Sequence, residues 1–140
     1  MNVKMHYKVK GNYTKIIPSR NDLSDIKIGI NYLSKLSSYN HVQGLVVRNG
    51  KIISKETTKG TKKMLLSIKK SKNYKGILIK LPKKKQDLRA DLPTIGIETL
   101  MDCKRSGIKG IVLKSKKNIF LDKIKGINFA NTNKMFITVK

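Results

Sequence analysis

The chain has 140 residues, enough for one domain that buries about two-thirds of its surface on folding. A hydrophobic share of 39% supports a core and excludes a disordered chain, and no apolar run approaches the roughly 20 residues of a membrane-spanning helix. Basic residues number 32 against 8 acidic ones, a net charge of +24.

Along the chain, strand and helix patterns alternate. Val3, Met5, Tyr7 and Val9 alternate with polar residues and predict a strand with one buried face. Pro18 and Asn21 then precede a helical run in which Leu23, Ile26, Ile30 and Leu33 recur at three and four, as an inward stripe. Strands over 42–48 and 51–55 flank Asn49-Gly50, a pair suited to a tight hairpin turn that needs positive φ. Gly60-Thr61 opens a second helix through Met64, Leu65 and Ile68, and 77–80 is a short buried strand. Thr94 is placed to cap a third helix, with Ile97, Leu100 and Met101 inward and Gly107 as its stop. Further strands follow over 111–113 and 119–121; Asp122 starts a last helix, and 135–139 is a terminal strand. There is no internal repeat and no linker that would split the chain. The pattern predicts an α/β fold, a single compact domain over 1–140 with a mixed β-sheet covered by helices.

Several chemistries are narrowed by composition. Cys103 is the one cysteine, which excludes an internal disulfide and a cysteine-based zinc site, and His6 and His41 do not suggest a cluster. A metal ion, if bound, is then a hard one held by oxygens. The start lacks the apolar core of a signal peptide, which makes a cytoplasmic location the expectation. The positive charge is almost all lysine, spread from Lys4 to Lys140, with Arg20, Arg48, Arg89 and Arg105 as the arginines. With abundant Ile and Asn, that texture fits the drift of an A+T-rich coding sequence better than a selected nucleic-acid surface. Aromatics are sparse at 6% and do not alternate with basic residues, so weak, non-specific, salt-sensitive attraction to nucleic acid is the expectation.

One segment stands apart. Lys80-Leu-Pro-Lys-Lys-Lys-Gln-Asp-Leu-Arg-Ala-Asp-Leu-Pro-Thr-Ile-Gly96 carries Gln86, Asp87, Arg89 and Asp91 just after a buried strand, where sites tend to be built. Two acids within five positions are notable where acids are so few. They form either a functional loop or a charged turn balancing its lysines.

Further blocks extend this pattern. Val46-Val47-x-x-Gly50, Glu56-x-x-x-Gly60-Thr61-x-x-Met64, Lys80-x-x-Lys83-x-x-Gln86-Asp87-x-Arg89-x-Asp91-Leu-Pro-Thr-Ile-Gly96, Gly107-Ile-Lys-Gly110-Ile and Leu121-Asp122 follow in order. From about 11 to 140 the chain resembles the C-terminal, catalytic domain of the UDP-2,3-diacylglucosamine pyrophosphatases of lipid A biosynthesis, the family distinct from the calcineurin-like phosphoesterases. The Gln-Asp-x-Arg-x-Asp-Leu-Pro-Thr-Ile-Gly block is its most specific part.

The resemblance implies magnesium-dependent hydrolysis of the pyrophosphate of UDP-2,3-diacylglucosamine to UMP and 2,3-diacylglucosamine 1-phosphate, on the inner face of the cytoplasmic membrane. Catalytic roles fall on Asp87, Asp91 and Arg89. Mg2+ binding falls on Asp87, Asp91 and Glu56, with the two aspartates both ligands or one of them orienting the water. Substrate binding falls on Lys80, Gln86, Gly60, Thr61 and Thr94, though Gly60-Thr61 and Thr94 also read as ordinary helix caps. Some positions depart from the family. Lys59 and Lys62 stand where it has acids, a local change of about four charge units that opposes a divalent ion. Lys84-Lys85 replaces a Pro-Gly, and His41-Val-Gln43-Gly44 replaces an Asp-x-Gly-Gln. The family's N-terminal Rossmann-like domain is expected to be absent or supplied by a separate chain. Two readings follow: a pyrophosphatase domain, weakened or completed by that partner, or a non-catalytic basic protein that binds nucleotide sugars, anionic lipid or nucleic acid.

Overall fold

The computed structural model describes residues 10–36, 42–70, 75–81, 94–115 and 119–140. The strand expected over 3–9 lies outside them.

The strands are rich in β-branched residues and leucine, and their register sorts those residues onto two faces. Six strands form one mixed sheet: β1 (Gly11–Asn12), β8 (Phe136–Val139), β6 (Ile108–Leu113), β4 (Gly76–Lys80), β2 (Gly44–Arg48) and β3 (Lys51–Lys55), in that spatial order. The three strands β4, β6 and β8 run parallel, while β2 is antiparallel to both β3 and β4, and β1 to β8. Being central, β4 is buried along its whole length, which is why Gly-Ile-Leu-Ile-Lys reads as a nearly continuous apolar run. At the outer edge, β3 alternates exposed and half-buried residues instead.

Successive side chains point to opposite faces of a strand. Leu45, Val47, Ile77, Ile79, Val112 and Phe136 accordingly pack with Ile26 and Ile30 of α1 (Arg20–Ser34). Val46, Leu78, Ile111, Leu113 and Ile137 pack on the other face. Their partners are Met64 and Leu65 of α2 (Thr61–Leu66), Leu100 and Cys103 of α3 (Ile97–Arg105) and Ala130 of α4 (Lys123–Thr132). The result is the expected single α/β domain with helices on both faces. A short parallel pair, β5 (Thr94–Ile95) with β7 (Ile119–Phe120), stands beside the main sheet.

Local chemistry fixes the ends of these elements. Asn49 and Gly50 have φ of 49° and 77°, the left-handed conformations a two-residue hairpin needs, and the Gly50 N–H donates to Asp25 Oδ1 of α1 at 3.0 Å. At the start of α1, Ser19 Oγ accepts from the Asp22 N–H at 3.2 Å and Asp22 Oδ2 from the Ser19 N–H at 2.9 Å, a reciprocal capping box. Asp22 also pairs with Lys109 of β6. Burial pushes its carboxyl upward, but the hydrogen bonds from Lys109 and Ser19 outweigh this and hold it below the usual carboxylate range.

Three expectations need correction. Thr94 does not cap α3: its backbone is taken into the ladder with Ile119, and Gly96 is the N-cap. Met101 is 42% exposed, because Leu100 and Cys103 at a spacing of three set the buried stripe and the next position lies about 100° around the helix. Leu23, at 46% exposed, sits at the edge of the α1 stripe and lines an open apolar groove of about 530 Å³ with Ile26, Ile30 and Lys140.

Candidate functional site

The C-terminal end of a parallel strand is the ordinary place for a ligand in an open α/β sheet. Here that end of β4 is Lys80, and the 82–93 segment continues from it. Lys80 is only 8% exposed, an unusual degree of burial for a lysine. Its ammonium donates to Thr61 Oγ1 at 2.5 Å, and the Thr61 hydroxyl in turn donates to Glu56 Oε2 at 3.0 Å. Glu56 Oε2 lies 4.0 Å from Lys80 Nζ. A charged donor, a bridging hydroxyl and a carboxylate thus form one connected, mostly buried polar network, the condition under which buried charge is tolerated.

Each member is placed by a different element. Lys80 ends β4, and Glu56 follows β3, its N–H donating to the Gly44 carbonyl at 2.8 Å. Thr61 is the first residue of α2, whose N-cap Gly60 has φ of 92°, a conformation that suits glycine and turns the chain from Glu56 back towards the sheet.

Of the residues singled out in the sequence, Glu56, Gly60, Thr61 and Lys80 are therefore brought together. Gln86, Asp87, Arg89 and Asp91 lie outside the described residues, and Thr94 belongs to β5. Lys59 and Lys62 are both exposed, where solvent and salt screen them. Among the described residues no three His, Cys, Asp or Glu side chains converge as a metal site. The carboxylate of Glu56 is an oxygen donor of the kind a hard cation takes, and a magnesium ion takes one or two such carboxylates beside waters and phosphate oxygens. Gly44 was given no role in the sequence; the one signal was a glycine within a predicted strand, which can mark close approach of another group.

Behind this site, Cys103 is fully buried on α3. Burial pushes its thiol far up, the Asp102 carboxylate adds to the rise, and the Lys80 ammonium offsets part of it. The folded thiol stays protonated where the unfolded one ionises, so stability is intact below about pH 8.5 and falls as pH rises, by about 1.4 kcal/mol per unit. Urea midpoints measured between pH 8 and 10 should show this slope, and Cys103→Ala should flatten it.

Residues 9–138 match the family described as the LpxI C-terminal domain. The UDP-2,3-diacylglucosamine pyrophosphatase LpxI of Caulobacter vibrioides is 28% identical over 136 residues, an alignment covering 91% of this chain and 49% of the relative. The chain thus spans about half the length of the curated relative it matches. The matched segment runs from β1 into β8 and contains Gly44, Glu56, Thr61 and Lys80 together with the whole 82–93 segment. With its fold and its polar network inside that segment, the chain belongs to the LpxI C-terminal domain family.

Proposed function

We propose that this domain hydrolyses the pyrophosphate bond of UDP-2,3-diacylglucosamine, releasing UMP and 2,3-diacylglucosamine 1-phosphate in the lipid A pathway. The observation that carries this reading is the Glu56–Thr61–Lys80 network at the C-terminal end of β4, the point from which the Asp87, Arg89 and Asp91 segment continues. The activity for which the Caulobacter relative is named supports the substrate.

A pyrophosphate repels a nucleophile until its charge is neutralised. In this proposal Asp87 and Asp91, with Glu56, hold Mg2+, which supplies that neutralisation when bound. Lys80 and Arg89 contact phosphate oxygens, the first as a point charge and the second through its planar fork. Gln86, Gly60, Thr61 and Thr94 position the substrate. Water adds to one phosphorus, and the bridging oxygen leaves on the other. In this proposal the lipid nucleotide is met at the inner face of the cytoplasmic membrane, with the protein peripheral there. Among the described residues no helix is long and apolar enough to cross a membrane.

The test is UMP release from UDP-2,3-diacylglucosamine, with and without magnesium, by the chain alone and with the other half of a full-length relative supplied in trans. Magnesium-dependent release is expected. Tight binding of the nucleotide sugar without release under any condition would favour a non-catalytic binding protein.

A further inference from the structure

Lys80 and Glu56 belong to strands that are not neighbours. Between them runs β2, with Gly44 paired to Lys80 in the β2–β4 register and the Gly44 carbonyl accepting the Glu56 N–H at 2.8 Å. Two strand spacings separate their backbones by about 10 Å. Their charged ends nonetheless approach to 4.0 Å. They do so because the residue between them has no side chain. A Cβ added to Gly44 would lie 2.7 Å from Glu56 Oε2 and 3.8 Å from the Lys80 Cγ. Gly44 has no positive φ that would demand glycine for backbone reasons. Its requirement is space.

The geometry points to Gly44 and Glu56 as a positioning pair that sets the Lys80 ammonium, through Thr61, to receive a phosphate group. Deepening the pyrophosphatase reading and resting on it for the identity of the substrate, the inference concerns the anion-binding half of the site. A free lysine carries large rotamer entropy that it loses on gripping a phosphate. Here that loss is met on folding. The Thr61 hydroxyl takes one ammonium hydrogen at 2.5 Å, and Glu56, by accepting the hydroxyl's own hydrogen, leaves only a lone pair facing Lys80. A side chain at Gly44 displaces the far end of Glu56, which is flexible, and not the surrounding backbone, whose nearest atom to the added Cβ is the Ile79 carbonyl at 3.4 Å. Gly44→Ala therefore keeps the fold and loses the arrangement.

The experiment titrates inorganic pyrophosphate into the wild-type chain, Gly44→Ala and Thr61→Val by calorimetry, with folding checked by circular dichroism. In parallel, the slowly exchanging Lys80 ammonium is followed by 15N NMR and assigned by its disappearance in Lys80→Met. Wild type is expected to bind pyrophosphate and to show the protected ammonium signal. Both variants should bind at least about tenfold more weakly, the loss of one charged hydrogen bond, and should lose the signal. A merely structural role for Gly44 would not move the ammonium resonance of a folded variant. Thr61→Val removes the bridging hydroxyl without touching Gly44, and so decides the matter should Gly44→Ala fold poorly. Wild-type affinity in the folded variants, persistence of the Lys80 signal in them, or no pyrophosphate binding by wild type would each overturn the inference. UMP release by wild type, assayed on the same preparation, reports separately on the proposed activity. Release with unaffected variants removes only the positioning role, and absence of release with weakened variants removes only the activity.

Discussion

Asp87→Ala is expected to lower magnesium-dependent UMP release by about a thousandfold, equivalent to about 4 kcal/mol of transition-state stabilisation. The size follows from the charge the reaction must manage. A pyrophosphate diester cannot be approached by water until its oxygens are neutralised, and the proposed ion needs carboxylates to stay where those oxygens arrive. Without Asp87 the ion keeps only Glu56 and Asp91, and Glu56 Oε2 already accepts the Thr61 hydroxyl. Asp87→Asn keeps the size and removes the charge. It should lose nearly as much, and regain a part at raised magnesium concentration if the lost group is a ligand. Rates are compared at saturating lipid nucleotide, with melting temperatures as the check on folding. Full activity in Asp87→Ala would move the catalytic assignment away from this segment.

The second large effect is on stability. Gly110 of β6 is paired with Phe136 of β8, and a Cβ at Gly110 would come within 2.4 Å of three atoms of the Phe136 ring. Unlike the carboxylate end facing Gly44, this neighbour is rigid and fully enclosed: Phe136 is 1% exposed and packs with Val112, Ile79 and Ile26 under α1. Overfilling a close-packed core costs typically 1–3 kcal/mol, and here about 3 kcal/mol is expected for Gly110→Ala, a large part of the 5–15 kcal/mol that holds a domain folded. Urea unfolding checks it. Adding Phe136→Leu should recover part of the loss, a coupling between the two sites that a double-mutant cycle measures directly.

The contrast between these glycines shows what could be read from the sequence. Asn49-Gly50 announced its hairpin because positive φ at two successive residues has few solutions. The burial of β4 was visible as a continuous apolar run, and the stripe through Ile26 and Ile30 as helical periodicity. Thr94 was misplaced because a capping residue and a residue of a two-residue strand look alike when the partner, Ile119, lies 25 positions on. The Lys80–Glu56 approach was less legible still. It depends on β2 lying between β4 and β3, a spatial order that hydrophobic pattern does not determine, and on an absence at Gly44 that leaves no mark beyond the letter itself. The Glu56 and Lys80 roles came from family likeness, and the network joining them came from the fold.

As the outermost strand of the described sheet, β3 leaves backbone N–H and C=O groups that another chain can pair with. Lys51 and Lys55 stand exposed at its two ends, around the partly exposed Ile53. Two molecules approaching edge to edge would bring four ammonium groups together at short range. Lysine charge at this edge would oppose such pairing, and concentrated salt would weaken that opposition by screening it.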